Sequence, residues 1–303
     1  MRDKIVVIGS LNYDIILKSS RLPECGETMP VDNAAFSAGG KGANQAVQAA
    51  KLGVPTYMVG CVGEDAQGAY LVQTAKAYGV NTDHIRTIPG VPSGMGVISA
   101  LEDGSVFASI VRGANYAVTR ENIDAVEPLL QQAAIVILQM EIPMEINTYA
   151  IQKAKACGCK VLLNAAPAME IPNRYLQMCD IIVVNEVEAA FYLNTELGTV
   201  DQAREGAARM ARDYSADIIV TLGKEGAVVS DQGSVTFIPA REVEAIETTG
   251  AGDSFIGGVG YALMQNMTLT EACQFAADCS AITVCRLGAQ DSMPALKEVQ
   301  NSI

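Results

Sequence analysis

Short apolar runs, separated by amphipathic stretches that several times end in glycine, leave this chain few folds to choose from. Residues 5–8, 57–62, 135–139, 161–164, 181–184 and 218–222 are dominated by Val, Ile, Leu and other apolar residues. That is the pattern of strands buried on both faces. Between them, residues 42–52, 66–78, 120–132, 144–157 and 200–214 carry helical periodicity. Gly53, Gly79 and Gly158 follow three of these stretches as stop signals. Such alternation predicts an α/β fold: a mostly parallel sheet with helices on both sides. Half of the 303 residues are hydrophobic, enough for a large core.

Two segments break the alternation. Residues 14–37 and 95–112 hold β-like stretches (IILK, VISAL, SVFASIV) joined by turn residues, among them Glu102, Asp103 and Gly104. The second segment reads as a hairpin. Together they are expected to form a small sheet lying over a ligand site. Beyond Lys224 a meander (GAVVS, GSVTFIP) leads into helices over 251–264 and 269–284. No repeat or long linker divides the chain, so it reads as one domain over 1–303.

Composition removes several function classes. A net charge of −13 argues against nucleic acid as a partner, since no basic patch collects phosphates. No stretch approaches the eighteen or so apolar residues of a membrane span, and the N-terminal apolar run is too short for a signal peptide. The eight cysteines are scattered, without a Cys-x-x-Cys pair, and His84 is the single histidine. Neither a zinc site nor a disulfide framework fits, which points to the reducing cytoplasm. His84, within NTDHIR, reads as a surface loop residue.

In open parallel sheets, ligands collect beyond the carboxyl ends of the strands. Polar residues recur at those places. The first strand runs into Asn12 and Asp14, two apart and so on one side of an extended chain, a good grip for vicinal hydroxyls. Gly39, Gly40, Lys41, Gly42 and Asn44 form a glycine-rich helix start that lacks the spacing of a Walker A loop. Its backbone amides, with Lys41 and Asn44, suit a polyol. Glu141 follows the strand at 135–139. Asn185 and Glu188, three apart at a helix start, suit either a hydrated magnesium ion or a capping box. Thr221, Gly223, Lys224 and Gly226 end another strand with glycines suited to a nucleotide.

The segment ETTGAGDSF holds the chemistry. Gly250 and Gly252 allow a sharp turn and close ligand approach, and the apolar helix behind them aims free N–H groups and its positive dipole end at the turn. Phosphate-like charge suits that place, and Asp253 inside it suits a proton acceptor. The segment predicts phosphoryl transfer to a hydroxyl.

In this order, GSLNYD, SAGGKGANQA, QMEIP, NAAPA, NEVEA, TLGKEG, TTGAGDSF and RLGAQ resemble the PfkB (ribokinase-like) family of carbohydrate kinases along essentially the whole chain. The resemblance implies a three-layer α/β/α sandwich with a β lid from insertions at about 14–37 and 95–112. It implies an ATP-dependent kinase acting on the primary hydroxyl of a pentose, ribose first, with nucleoside, deoxyribose or fructose as alternatives and a non-catalytic sugar-binding relative as another. Asp253 would take the hydroxyl proton beside an anion hole of Gly250, Ala251 and Gly252 amides. Asn12, Asp14, Gly39, Gly40, Lys41, Asn44 and Glu141 would hold the sugar. Asn185, Thr221, Gly223, Lys224, Gly226 and Gly252 would line the nucleotide site, with Asn185 and Glu188 serving magnesium through water. The lid would also supply a homodimer contact.

The family also carries a potassium site. Glu247 stands where an aspartate is usual, with the remaining ligands falling on Thr249, Thr283, Gly288 and Ser292. Tyr13 and Arg112 replace smaller residues and are expected to narrow the sugar pocket or admit a differently substituted sugar. Ala277 stands where the family carries an adenine-pocket asparagine.

Overall fold

The computed structural model describes residues 2–31, 33–101 and 106–302. Its strands are β1 (Lys4–Ile8), β2 (Asn12–Ser19), β3 (Asn33–Gly39), β4 (Thr56–Gly63), β5 (Asn81–Ile88), β6 (Gly94–Leu101), β7 (Val106–Val111), β8 (Ala133–Leu138), β9 (Lys160–Asn164), β10 (Ile181–Asn185), β11 (Asp217–Thr221), β12 (Gly226–Asp231) and β13 (Ser234–Pro239). Its helices are α1 (Lys41–Lys51), α2 (Ala66–Ala77), α3 (Arg120–Ala125), α4 (Glu127–Leu130), α5 (Met144–Ala156), α6 (Asn173–Leu176), α7 (Glu186–Leu193), α8 (Val200–Tyr214), α9 (Ala251–Met264), α10 (Leu269–Val284) and α11 (Leu296–Ser302).

Nine strands make one sheet, in the order β13-β12-β11-β10-β9-β8-β1-β4-β5. The pairs from β11 through to β5 are parallel, and at the other edge β12 alone is reversed, pairing antiparallel with both β11 and β13. Alternate side chains of β1 divide the core. Ile5 and Val7 join α1, α9 and α10 on one side, whereas Val6 and Ile8 join α3, α5 and α8 on the other. Each such buried Val or Ile stabilises by about 1.5–3 kcal/mol. Helix α9 lies flush against its neighbours because it carries glycine at the contacts. A Cβ on Gly257 would fall 2.5 Å from Gln48 Cβ, and one on Gly258 would fall 3.1 Å from Ala276 Cα.

The second sheet, ordered β3-β2-β6-β7, is the lid. Strands β2 and β6 are parallel, and the outer pairs are antiparallel. The expected turn at Glu102, Asp103 and Gly104 lies outside the described residues. Register places Asp14 opposite Gly96 and Gly96 opposite Ile110, so these three share a face. Tyr13, Phe36, Phe107 and Val111 lie on the other face. Phe36, Phe107, Ile110 and Val111 are exposed, so neither face is fully covered within one chain.

Several sequence expectations need correction. NTDHIR is not a loop: it lies in edge strand β5, where His84 pairs with Val59 and is half-buried. The helix expected over 120–132 is broken at Val126 into α3 and α4, because Pro128 can occupy only the first turn of a new helix. Tyr13 does not reach the Asp14 face. It packs on Phe36, with ring centroids 6.0 Å apart, and meets the edge of Tyr70. Among the described residues, no helix is long and apolar enough to cross a membrane.

Candidate active site

The carboxyl ends of the central strands carry the polar tips, most of them expected from sequence. Ser10 to Asn12 follow β1, Glu141 follows β8, Asn164 and Asn185 end β9 and β10, and Thr221 ends β11. Two helix starts face them, α1 after Gly40 and α9 after Gly250.

Gly40 makes the first start possible. Its φ of +88° is left-handed, and a Cβ there would lie 2.7 Å from Asn12 N and 2.9 Å from Leu11 Cα. The glycine loop therefore touches the backbone that leads into β2. Asp14 uses the room left by neighbouring glycines: a Cβ on Gly39 would sit 2.0 Å from one carboxylate oxygen, and one on Gly96 would sit 2.4 Å from the other. Asn12 is buried, and its Oδ1 accepts from Asn115 Nδ2 at 2.7 Å. Asn115 also accepts from Leu11 N at 2.9 Å and donates to Leu11 O at 3.2 Å, so it clamps the lid's root.

Gly250 makes the second start. Its φ of +80° caps α9 without a side-chain bond. Gly252, expected to turn, is instead helical, and the space beside its α-carbon is open. Ser254 N donates to Gly250 O at 2.8 Å, and Ala251 N is already bonded to Thr248 O at 3.2 Å. Among the described residues, the N–H groups of Gly250, Gly252 and Asp253 meet no acceptor, so of the expected set only the Ala251 amide is already taken. Helix start and open amides suit an anion.

Asp253 is 9 % exposed and is held through both oxygens. Asn44 Nδ2 donates to Oδ2 and Gln45 Nε2 donates to Oδ1, each at 2.9 Å. Asn44 Oδ1 accepts from Gln290 Nε2 at 3.1 Å, and Gln45 Oε1 accepts from Gln139 Nε2 at 2.6 Å. On the lid side, Ser10 Oγ donates to Glu141 Oε2, which also takes the Lys41 N–H at 3.2 Å.

Three carboxylates share this cleft, and their charges are felt. Burial, then repulsion from Glu141 and Asp253, pushes Asp14 up to about 7, against the pull of the Gly96 N–H. Burial pulls the Lys41 ammonium down, but Asp253, Glu141 and Glu188 outweigh it and hold the group above its ordinary value. Lys41 is thus the counter-charge of the cleft.

At the far end, Asn185 and Glu188 form a capping box. Asn185 Oδ1 accepts from Glu188 N, and Glu188 Oε2 accepts from Asn185 N, both at 2.8 Å. Burial raises Glu188, while the Asn185 N–H and Lys41 lower it. One Glu188 oxygen and the Asn185 amide nitrogen remain for other partners, so the cap leaves room for a hydrated metal's water. Thr221 Oγ1 donates to Val184 O at 3.4 Å. Gly223 faces open space, as a nucleotide contact needs, and Lys224 is exposed. Gly226 has another reason to be glycine: a Cβ there would lie 2.0 Å from Ile238 O in the β13 strand.

Around Glu247, one carboxylate oxygen accepts from Gly288 N at 2.9 Å. Thr283 Oγ1 donates to Cys279 O at 2.9 Å and lies 2.8 Å from Ser254 Oγ, and Ser292 Oγ donates to Ala289 O at 2.7 Å. Thr249 lies in the loop just before Gly250. Arg112 is exposed over the Tyr116 ring, 4.5 Å from its centroid, and Ala277 is half-buried on α10.

Sequence reasoning did not single out Asn115, and it gave Ser10, Gln45, Asn164 and Gln290 no individual role although each lies within a quoted motif. The one available signal was Gln45 itself, a second amide beside Asn44 on a helix otherwise rich in alanine.

The sequence matches the family model described as "pfkB family carbohydrate kinase" over residues 2–296. A ribokinase of Schizosaccharomyces pombe is 37% identical over 308 aligned residues, spanning 98% of this chain and 97% of that protein. A deoxyribokinase of Salmonella typhi is 34% identical, spanning 97% of this chain and 96% of the other. Among solved structures, Arabidopsis thaliana ribokinase complexed with ribose and ATP matches with a TM-score of 0.90 at 32% identity, covering 99% of this chain and 98% of that one. The whole-length match and the layered fold agree, and the chain belongs to the pfkB family of carbohydrate kinases.

Proposed function

We propose that this chain is an ATP-dependent kinase that phosphorylates the primary hydroxyl of ribose, releasing ribose 5-phosphate and ADP. The observation that carries this reading is the Asp253 carboxylate, hydrogen-bonded to Asn44 of the glycine loop beside the open amides at the start of α9. A proton acceptor, a polyol grip and an anion nest meet there.

Asn12, Asp14, Lys41, Asn44, Glu141 and the Gly39–Gly40 backbone hold the sugar. Asp253 orients the primary hydroxyl and takes its proton as that oxygen bonds to the γ-phosphorus. The bond from the γ-phosphorus to its bridging oxygen breaks, and ADP leaves with that electron pair. The Gly252 and Asp253 amides, aided by Gly250 and the α9 dipole, stabilise charge on the phosphoryl oxygens. Lys41 balances the carboxylates of the cleft. Such chemistry needs positioning more than covalent help.

Thr221, Gly223 and Lys224 face the nucleotide. Asn185 and Glu188 would hold magnesium through water, and the ion bound with ATP would offset phosphate charge. Glu247, Thr249, Thr283, Gly288 and Ser292 would be the residues to hold a potassium ion. The chain works as one unit over 1–303, with the lid from 14–37 and 95–112. It pairs as a homodimer through the lids, which the exposed Phe36, Phe107, Ile110 and Val111 support. Eight unpaired cysteines suit the cytoplasm.

A second substrate, deoxyribose, is favoured by the 34% identity to a deoxyribokinase. ADP release across ribose, deoxyribose, fructose and a nucleoside, with and without potassium, separates the two. Ribose is expected to give the highest kcat/KM, and a clear preference for deoxyribose replaces this reading. Asp253→Asn is expected to lower kcat by roughly 100- to 10,000-fold, and unchanged turnover removes Asp253 from its role.

A further inference from the structure

Gln45 is 0 % exposed, yet polar, in helix α1. Two acceptors face its carboxamide nitrogen: Asp253 Oδ1 at 2.9 Å and Asn164 Oδ1 at 3.1 Å. Asn164 cannot easily present its other end, because its own Nδ2 is turned to Val183 O at 3.4 Å. The Gln45 oxygen is meanwhile taken by Gln139 Nε2 at 2.6 Å. Reversing the amide would set an oxygen against a carboxylate oxygen and leave the Gln139 N–H opposite an N–H, at side chains that are both fully buried. The direction of the group is therefore set at three points.

The other oxygen of Asp253 is held by Asn44, itself oriented by Gln290. Asn44 is 5 % exposed at the cleft, whereas Gln45 is sealed behind it. With one amide donor on each oxygen, both anchored to further glutamines, the carboxylate plane has a single orientation. Gln48 offers a contrast one turn along the same helix. It too is buried, and it accepts from Ser254 Oγ at 2.8 Å and donates to Pro294 O at 3.0 Å. It fastens α1 to α9 without touching the carboxylate.

We propose that Gln45 is a positioning residue for phosphoryl transfer: it fixes the Asp253 carboxylate plane toward the sugar hydroxyl without contacting sugar or nucleotide. This rests on Asp253 being the proton acceptor. Misplacement of a reacting group by a fraction of its hydrogen-bond length is costly in rate and nearly silent in ground-state binding. Gln45 therefore acts on kcat rather than on the sugar KM.

The test compares Gln45→Met, close in length and apolar, with Gln48→Met, Asp253→Asn and the Gln45→Met/Asp253→Asn double variant of the full chain, using ribose and ATP. Gln45→Met is expected to lower kcat by roughly 10- to 100-fold, with the sugar KM within about twofold of the parent. In the Asp253→Asn background the same substitution is expected to cost nothing more, since residues acting through one group are not additive. Gln48→Met is expected to lower the melting temperature while kcat holds. A normal kcat in Gln45→Met, a loss that persists in the Asp253→Asn background, or an equal loss in Gln48→Met overturns the proposal. If Gln45→Met does not fold, Gln139→Met decides by the same criteria, because it removes the donor that orients Gln45. An active Asp253→Asn defeats the proton-acceptor reading itself, whereas an inactive Asp253→Asn beside a normal Gln45→Met defeats only the role of Gln45.

Discussion

Asn44 donates its side-chain N–H to Asp253 at 2.9 Å, joining helix α1 to the first turn of α9 across 209 positions of sequence. The glycine loop and the carboxylate are thus neighbours through two rigid helices rather than through loops.

With Asp14 gripping the sugar as proposed, crowding of carboxylates should make sugar binding sensitive to pH. Asp14 is pushed up to about 7 by burial and by Glu141 and Asp253. Below that pH it is protonated and would lose its proposed acceptor role toward sugar hydroxyls, so the sugar KM should rise as pH falls from 8 to 6. A KM profile of the parent beside a flat, high KM in Asp14→Asn checks this.

The same group should cost stability at high pH. Unfolded, Asp14 releases its proton near its ordinary 3.8, whereas folded it keeps it to about 7, so the folded state binds more protons in between. Stability from this residue falls as pH rises across that window. Asp14→Asn should melt above the parent at pH 8, with the difference shrinking toward pH 4.

Gly40 cannot be replaced without moving the lid root. Gly40→Ala adds a Cβ 2.7 Å from Asn12 N on a residue with φ +88°. We expect a loss of roughly 1–3 kcal/mol, read by urea unfolding, together with a raised sugar KM. A variant of parental stability and KM would contradict the contact.

Glu247 is bonded to Gly288 N at 2.9 Å. Glu247→Asp draws the carboxylate back by one methylene and leaves more space between the two segments. Stimulation by potassium chloride should be larger in Glu247→Asp than in the parent, measured at constant ionic strength. Equal stimulation would separate the cation effect from this residue.

The lid's exposed apolar residues should hold two copies together. Phe36→Asp with Phe107→Asp is expected to convert a dimer into a monomer in sedimentation velocity without unfolding the central sheet. A parent that sediments as a monomer at micromolar concentration would refute the pairing.

What the sequence revealed followed the locality of each signal. β1, β8 and β10 were legible because burial on both faces demands a continuous apolar run. β5 was not, because an edge strand half open to water can carry NTDHIR without penalty. The break between α3 and α4 hides from periodicity, since Pro128 fits a first helical turn. Asp253 and the glycine loop were visible because their meaning lies in adjacent residues. Asn115, Asn164 and Gln290 were not, because each acts on partners distant in sequence, and a single amide carries no local mark.

The glycines that let α9 lie flush on α1 and α10 have an evolutionary corollary. Where helices touch almost backbone to backbone, no small substitution can slide one past the other, so the catalytic geometry is the least adjustable part of the molecule. Of the proposed sugar contacts, Asn12 and Asp14 lie in β2, outside this helix pair, so attempts to change the sugar preference should randomise β2 and its neighbour β6 while leaving the helix pair intact.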